Sequence, residues 1–173
     1  MAKSKSAKTT PTASRPNMPS YGLLPADGGA GLLGWRWAVD RLQKSHNYYL
    51  STTRPDGRPH CMPVWGIWSD DVFYFSTAPD SVKARNLETN HNCVITTEDA
   101  SQAIIVEGVA KVFDDRAALR KLLRIYEDKY NFEMSADMGP YFAVYPTRAY
   151  GIIEYAMQAV SYTHLTLPTI LLV

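Results

Sequence analysis

The sequence predicts a mainly β domain with added helices, a small barrel of six to seven mostly antiparallel strands flanked by helices. Three observations predict it. Short runs rich in β-branched and aromatic residues recur between clusters of turn residues. Neighbouring runs lie close enough in sequence for hairpins, and only three segments carry helical spacing. The hairpins differ in length and sequence, which excludes a propeller or solenoid built on a repeat.

Each element has its own signal. In GWRWAVDRLQKSH, Trp35, Val39, Leu42 and His46 form a one-sided stripe at helical spacing. NYYLSTTR (47–54) and RPHCMPVWGIW (58–68) flank Pro55, Asp56 and Gly57, where the proline fixes φ and the glycine permits positive φ, so a hairpin is predicted. After Ser69, Asp70 and Asp71, VFYFST (72–77) reads as a third strand. VKARNLETN (82–90) reads as a short helix that Asp80 or Ser81 is placed to cap. NCVITTE (92–98) and QAIIVEGVAKVF (102–113) form a second hairpin around Asp99, Ala100 and Ser101, with Gly108 as a bulge or bend. DDRAALRKLLRIYEDKY (114–130) is a longer helix: two acids suit its N-terminus, and Leu119, Leu123, Tyr126 and Tyr130 share a face. YFAVYP (141–146) and AYGIIEYAM (149–157) return to strand patterns.

Composition narrows the function. The chain has 173 residues with 18 Lys+Arg against 17 Asp+Glu, a net charge of +1, which suits one domain and gives no broad basic field for nucleic acid. Small-molecule or protein partners are therefore expected. The two cysteines, Cys61 and Cys93, lie in apolar stretches without metal-ligand spacing, so neither a metal site nor a disulfide framework is indicated. Without a secretory signal or a membrane-spanning apolar run, the protein is expected to be cytoplasmic.

The ends read differently from the middle. Residues 1–20 are polar, with Lys3, Lys5, Lys8 and Arg15 as their charges, and are expected to be a disordered tail. The same basic, acid-free composition occurs in transit peptides, but the amphipathic apolar stripe is missing. SYTHLTLPTILLV (161–173) is uncharged and interrupted by Pro168. It resembles the translated read-through of a sequencing adaptor, so residues 160–173 are expected to be a non-native tail, with an apolar terminal strand as the alternative. Residues 21–159 are left as the folding domain.

Chemistry concentrates between Arg54 and Asn92. Ser76 and Thr77 end a strand, a short loop carries Pro79, and a helix begins whose first turns hold Lys83 and Arg85. Hydroxyl donors, the free N–H groups of a helix N-terminus and a lysine converge there on an anion such as phosphate. A solvated helix face is the competing reading of the two charges. Pro59 and Pro63 prevent the preceding strand from being fully paired, so the backbone from Val64 to Gly66 is free to hydrogen-bond a flat heteroaromatic ring, with Met62, Trp65 or Trp68 over its face.

Those residues carry a family resemblance. STTRPDGRPHCMPVWGIW followed by FYFSTAPDSVKARNL resembles the split β-barrel flavin and deazaflavin oxidoreductases of the pyridoxamine 5'-phosphate oxidase-like superfamily, over roughly Trp35 to Tyr155. Within it, the chain is similar to the actinobacterial branch that binds the deazaflavin coenzyme F420. The resemblance implies a split β-barrel and a homodimer with two cofactor sites shared between subunits. It implies that Ser76, Thr77, Ser81 and Lys83 grip the phosphate of F420 or FMN, with Arg85 and Asn86 in support. It further implies that His60, Met62, Pro63, Val64 and Trp65 lie along the ring and ribityl chain. Some relatives carry Arg where this chain has Ser81, which leaves the phosphate clamp one charge weaker.

In such a site the cofactor carries the hydride and the protein supplies binding and electrostatics, so no side-chain nucleophile is required. None of the G-x-S-x-G, HExxH or P-loop patterns occurs, and catalytic side chains are left unassigned. The expected activity is a flavin- or F420-dependent oxidoreductase acting on a small conjugated or quinone-like substrate. A true pyridoxamine phosphate oxidase is not expected, because no basic C-terminal substrate motif is seen. The alternative is a non-catalytic protein that binds or stores a flavin, deazaflavin or haem.

Overall fold

The computed structural model describes residues 10–16, 18, 20, 23, 32–154 and 158–165. Its elements run β1 (Thr12–Ser14), α1 (Trp35–Lys44), β2 (Tyr48–Thr53), β3 (Pro59–Val64), β4 (Ile67–Ser69), β5 (Val72–Ser76), α2 (Val82–Thr89), β6 (Asn92–Thr97), β7 (Ile104–Val112), α3 (Arg116–Tyr130), β8 (Tyr141–Ile153) and β9 (Gln158–Thr163). Every strand pairing is antiparallel, in the order β1-β9-β8-β7-β6-β2-β3. β3 adds to β2 at one end of this order, while β4 pairs with β5 and β5 returns to β8. Because β4 resumes only two residues after β3, the sheet curls round and closes except for a split between those two strands. The fold is a split β-barrel, mainly β, with flanking helices.

Period-two alternation sets the inside and outside of the barrel. On β2, Tyr48, Leu50 and Thr52 are buried, while Tyr49, Ser51 and Thr53 face outward. The Tyr48 ring meets Phe73 edge-on at 4.7 Å, and Leu50, Ile95, Val106 and Val144 complete the centre of the core. Gly57 takes φ +84° in the β2–β3 turn, as predicted, and the register of β7 against β8 shifts between Glu107 and Gly108. Asp115 caps α3 by accepting from the amides of Ala117 and Ala118, and Asn131 ends the helix in the left-handed region. Among the described residues, no helix is long and apolar enough to cross a membrane.

The strand inventory differs from the prediction in four places. RPHCMPVWGIW is two strands, β3 and β4, because the chain leaves the ladder at Trp65 and Gly66. YFAVYP and AYGII form one strand, β8, in which Thr147 is the extra residue of a bulge between the partners of Glu107 and Gly108. Tyr155–Met157 lie outside the described residues. Thr12–Ser14, expected in a disordered tail, pair with β9 as a short edge strand. Ladder hydrogen bonds hold that polar segment, a term that a count of apolar residues misses. β9 crosses into the segment expected to be a non-native tail, since Val160 and Tyr162 fill the core and the Tyr162 hydroxyl reaches the Leu33 carbonyl at 3.0 Å. Residues 1–9 and 166–173, with Pro168, lie outside the described residues.

Candidate functional site

β3 is an edge: among the described residues it pairs with β2 alone. Prolines suit such a strand because an edge has no second neighbour to receive their missing N–H groups. The register opposes Thr52 to His60, Leu50 to Met62 and Tyr48 to Val64, so these three β3 residues share the inward face. Val64 is buried there, but Met62 remains 45% exposed because no further strand covers it. Pro63 lies on the opposite face beside Tyr49, which is 47% exposed. The residues expected along the cofactor ring are thus divided between the two faces of an exposed edge.

α2 packs beside this edge. Ser81 is its N-cap and accepts from the Ala84 amide at 3.2 Å, the second of the two capping residues that the sequence offered. The Thr77 and Ser81 hydroxyls lie 3.1 Å apart. Whichever donates in that bond, the other keeps its proton for an outside acceptor. Ser76 is different: its hydroxyl is spent on the Pro140 carbonyl at 3.0 Å. Asn86 also departs from the expectation, being buried with its amide donated to Thr52 at 2.9 Å. Arg85 is exposed and has no side-chain hydrogen bond or ion pair among the described residues.

The electrostatics of this corner are one-sided. Partial burial, then the Arg54 guanidinium, then the Lys83 ammonium hold His60 below its ordinary value of 6.5. Among the described residues, the salt bridges are Arg36–Asp40, Arg58–Asp56 and Arg116–Asp137, so neither Arg54 nor Lys83 is neutralised by an ion pair. Arg54 and Lys83 therefore stay uncompensated within electrostatic reach of His60, and the Thr77–Ser81 hydroxyl pair stands at the start of the eight-residue helix that carries Lys83. That donor set fits a phosphate. No group of three metal-ligating side chains is found among the described residues.

At the far end of β3, Trp65 and Gly66 make the corner that precedes β4. A Cβ on Gly66 would lie 2.2 Å from Phe73 Cζ and 2.8 Å from the Tyr74 carbonyl, so only glycine fits. The Gly66 amide donates to the Tyr130 hydroxyl at 2.9 Å, and its carbonyl accepts from Lys129 Nζ at 3.0 Å. That amide was expected to be free for a ring. Trp65 is 40% exposed, stacks on Tyr130 at 4.7 Å and 11°, and donates its indole N–H to Asn47 Oδ1.

The sequence model of the family described as pyridoxamine 5'-phosphate oxidase matches residues 38–162. The chain belongs to that family. Similar solved structures include general stress protein 26 from Bacillus anthracis str. Sterne, at 23% identity and TM-score 0.58 over 68% of this chain and 92% of that one. An F420 reductase matches at 25% identity and TM-score 0.51 over 64% and 93%. The FAD binding protein from Mycobacterium smegmatis matches at 22% identity and TM-score 0.53 over 70% and 95%. No curated protein matches the sequence.

Within this family member, the structure gathers His60, Met62, Thr77, Ser81 and Lys83 along one edge, with Val64 behind them in the core. The Ser76 hydroxyl and the Asn86 amide are spent on protein partners, whereas the Arg85 guanidinium is exposed and unpaired among the described residues. Three contributors were missed from sequence. Arg54 stood inside the STTRPDG motif, and its place at the mouth of the hairpin was the available signal. Lys129 and Tyr130 had none, because they meet Gly66 across more than sixty residues of chain.

Proposed function

We propose that the chain binds a phosphorylated flavin or deazaflavin, F420 or FMN, and transfers hydride between it and a small conjugated or quinone-like substrate. The observation that carries this reading is the Thr77–Ser81 hydroxyl pair at the start of the helix that bears Lys83, with Lys83 and Arg54 both acting on His60 of the open β3 edge. Lys83 and Arg54 neutralise the phosphate, and the spare hydroxyl proton of the Thr77–Ser81 pair donates to it. The ring lies along β3 toward Trp65, which follows His60 by five positions, about 17 Å of extended chain, the scale of a ribityl phosphate with its tricycle. Asn86 acts from behind by fixing α2. The similarity to an F420 reductase supports the deazaflavin reading, and membership of the pyridoxamine 5'-phosphate oxidase family supports FMN.

When bound, the cofactor supplies the hydride chemistry, and the protein supplies position and charge. A second copy of the chain covers the exposed edge at Tyr49, Met62 and Trp65, giving a homodimer with shared sites. Both cysteines are free, in keeping with a reducing cytoplasm.

The test begins with the absorption spectrum of the purified protein loaded with F420 or FMN. The cofactor is then reduced and mixed with a panel of quinones and enones. Oxidation faster than in buffer supports the enzyme. Tight binding with no acceleration by any acceptor replaces it with a cofactor-storage protein.

A further inference from the structure

The Trp65–Gly66 corner is secured by a helix that is remote in sequence. The backbone polar groups of a strand break are ordinarily left to water. Here both groups of Gly66 are taken by the last turn of α3. Tyr130 Oη lies 2.9 Å from the Gly66 amide, 2.9 Å from the Gly66 carbonyl and 2.8 Å from the His46 carbonyl, yet it has one proton to give. Lys129 resolves the conflict, because its ammonium reaches the Gly66 carbonyl at 3.0 Å and frees Tyr130 to donate to His46.

Lys129 also donates to the Tyr48 hydroxyl at 2.8 Å, which in turn donates to the Leu42 carbonyl of α1. α1, β2, the β3–β4 corner and α3 are thereby joined through two side chains. The arrangement is costly: burial lowers the Lys129 ammonium from its ordinary 10.5 to about 8, with the Glu98 carboxylate opposing the shift. An apolar residue would fill the space without that cost. What the lysine and tyrosine fix is the direction of the Gly66 peptide and the plane of the Trp65 ring, which stacks on Tyr130 while staying 40% exposed.

We propose that Lys129 and Tyr130 are positioning residues that hold the Trp65–Gly66 corner as the platform for the cofactor ring. This inference rests on the site reading above and assigns the ring end of it. The test compares Lys129→Gln, Tyr130→Phe and Lys83→Ala, each checked for folding by circular dichroism and titrated with F420 and FMN. Lys129→Gln and Tyr130→Phe should each weaken binding about five- to twentyfold. The double variant should fall short of the product of the two, since both act on one peptide. At saturation they should also shift the visible spectrum of the bound cofactor, whereas Lys83→Ala should weaken binding and leave that spectrum unchanged.

Lys129→Arg keeps a donor for the Gly66 carbonyl and should restore the wild-type spectrum. If Lys129→Gln fails to fold, Tyr130→Phe, which removes a single oxygen, decides. Wild-type affinity and spectrum in the Tyr130→Phe variant, with Lys83→Ala impaired, would overturn this inference and leave the site standing. Unimpaired binding in Lys83→Ala as well would overturn both.

Discussion

Asn86 donates its side-chain amide to the Thr52 hydroxyl at 2.9 Å, and both residues are almost fully buried. This single bond ties α2 to β2. It sets the helix that carries Ser81 and Lys83 against the strand that leads into Arg54. Asn86→Ala removes this donor and leaves the buried Thr52 hydroxyl only its longer contact with His60 Nδ1 at 3.4 Å, and should cost about 0.5–1.5 kcal/mol of stability. Denaturant titration checks it, and an unchanged midpoint would mean that the helix is held elsewhere.

Gly66 has no room for a side chain, with Phe73 Cζ 2.2 Å from the position of a Cβ. Gly66→Ala must move an aromatic ring of the core or the corner itself. A loss of about 1–3 kcal/mol or more is expected, the scale of overpacking. A thermal melt equal to wild type would show that the corner is looser than this geometry.

Alkaline pH should weaken the fold through its buried acids. Burial pushes the Cys93 thiol from 9.0 up to about 12. Between those values the unfolded chain gives up the proton and the folded chain keeps it, so stability falls as pH rises. Tyr74 and Tyr130, both pushed from 10.0 to about 12, act in the same direction at higher pH. Lys129 acts oppositely between about 8 and 10.5, where the unfolded chain holds the extra proton. Unfolding midpoints of wild type and Cys93→Ala at about pH 8 and pH 10 isolate the thiol. Wild type should lose more stability over that interval, and parallel profiles would contradict it.

The proposed dimer makes a separate demand on Tyr49, which is 47% exposed on the outer face of β2. Tyr49→Glu places a charge in that interface and should shift the protein toward monomer in light scattering. Wild type that is monomeric and still binds cofactor tightly would contradict shared sites.

Local chemistry explains what was legible in the sequence. The Pro55–Gly57 turn and the caps at Ser81 and Asp115 are each written within a few residues, and the structure forms them there, whereas the bulge expected at Gly108 falls opposite it, at Thr147 of β8. The proposed phosphate end was assembled from the same local chemistry, since Thr77, Ser81 and Lys83 share one loop and helix turn. The manner of Asn86's support was not legible, because its spacing in KARNL does not reveal that it faces Thr52 and the core. The ring end was incomplete because Lys129 and Tyr130 reach Gly66 only through tertiary packing of α3. The break at Gly66 left one trace, a lone glycine inside the run, which the strand formers Val64, Trp65, Ile67 and Trp68 around it outweighed.

The central claim is that a cofactor phosphate sits on Lys83 at the start of α2. Titration of wild type and Lys83→Ala with F420 and with FMN, followed by fluorescence, tests it most directly. Wild type should bind at least one of the two, and Lys83→Ala should bind it about 10- to 150-fold more weakly, the equivalent of about 1.5–3 kcal/mol for hydrogen bonds to a charged group. Equal dissociation constants for wild type and variant would put the phosphate elsewhere, and the account would fail.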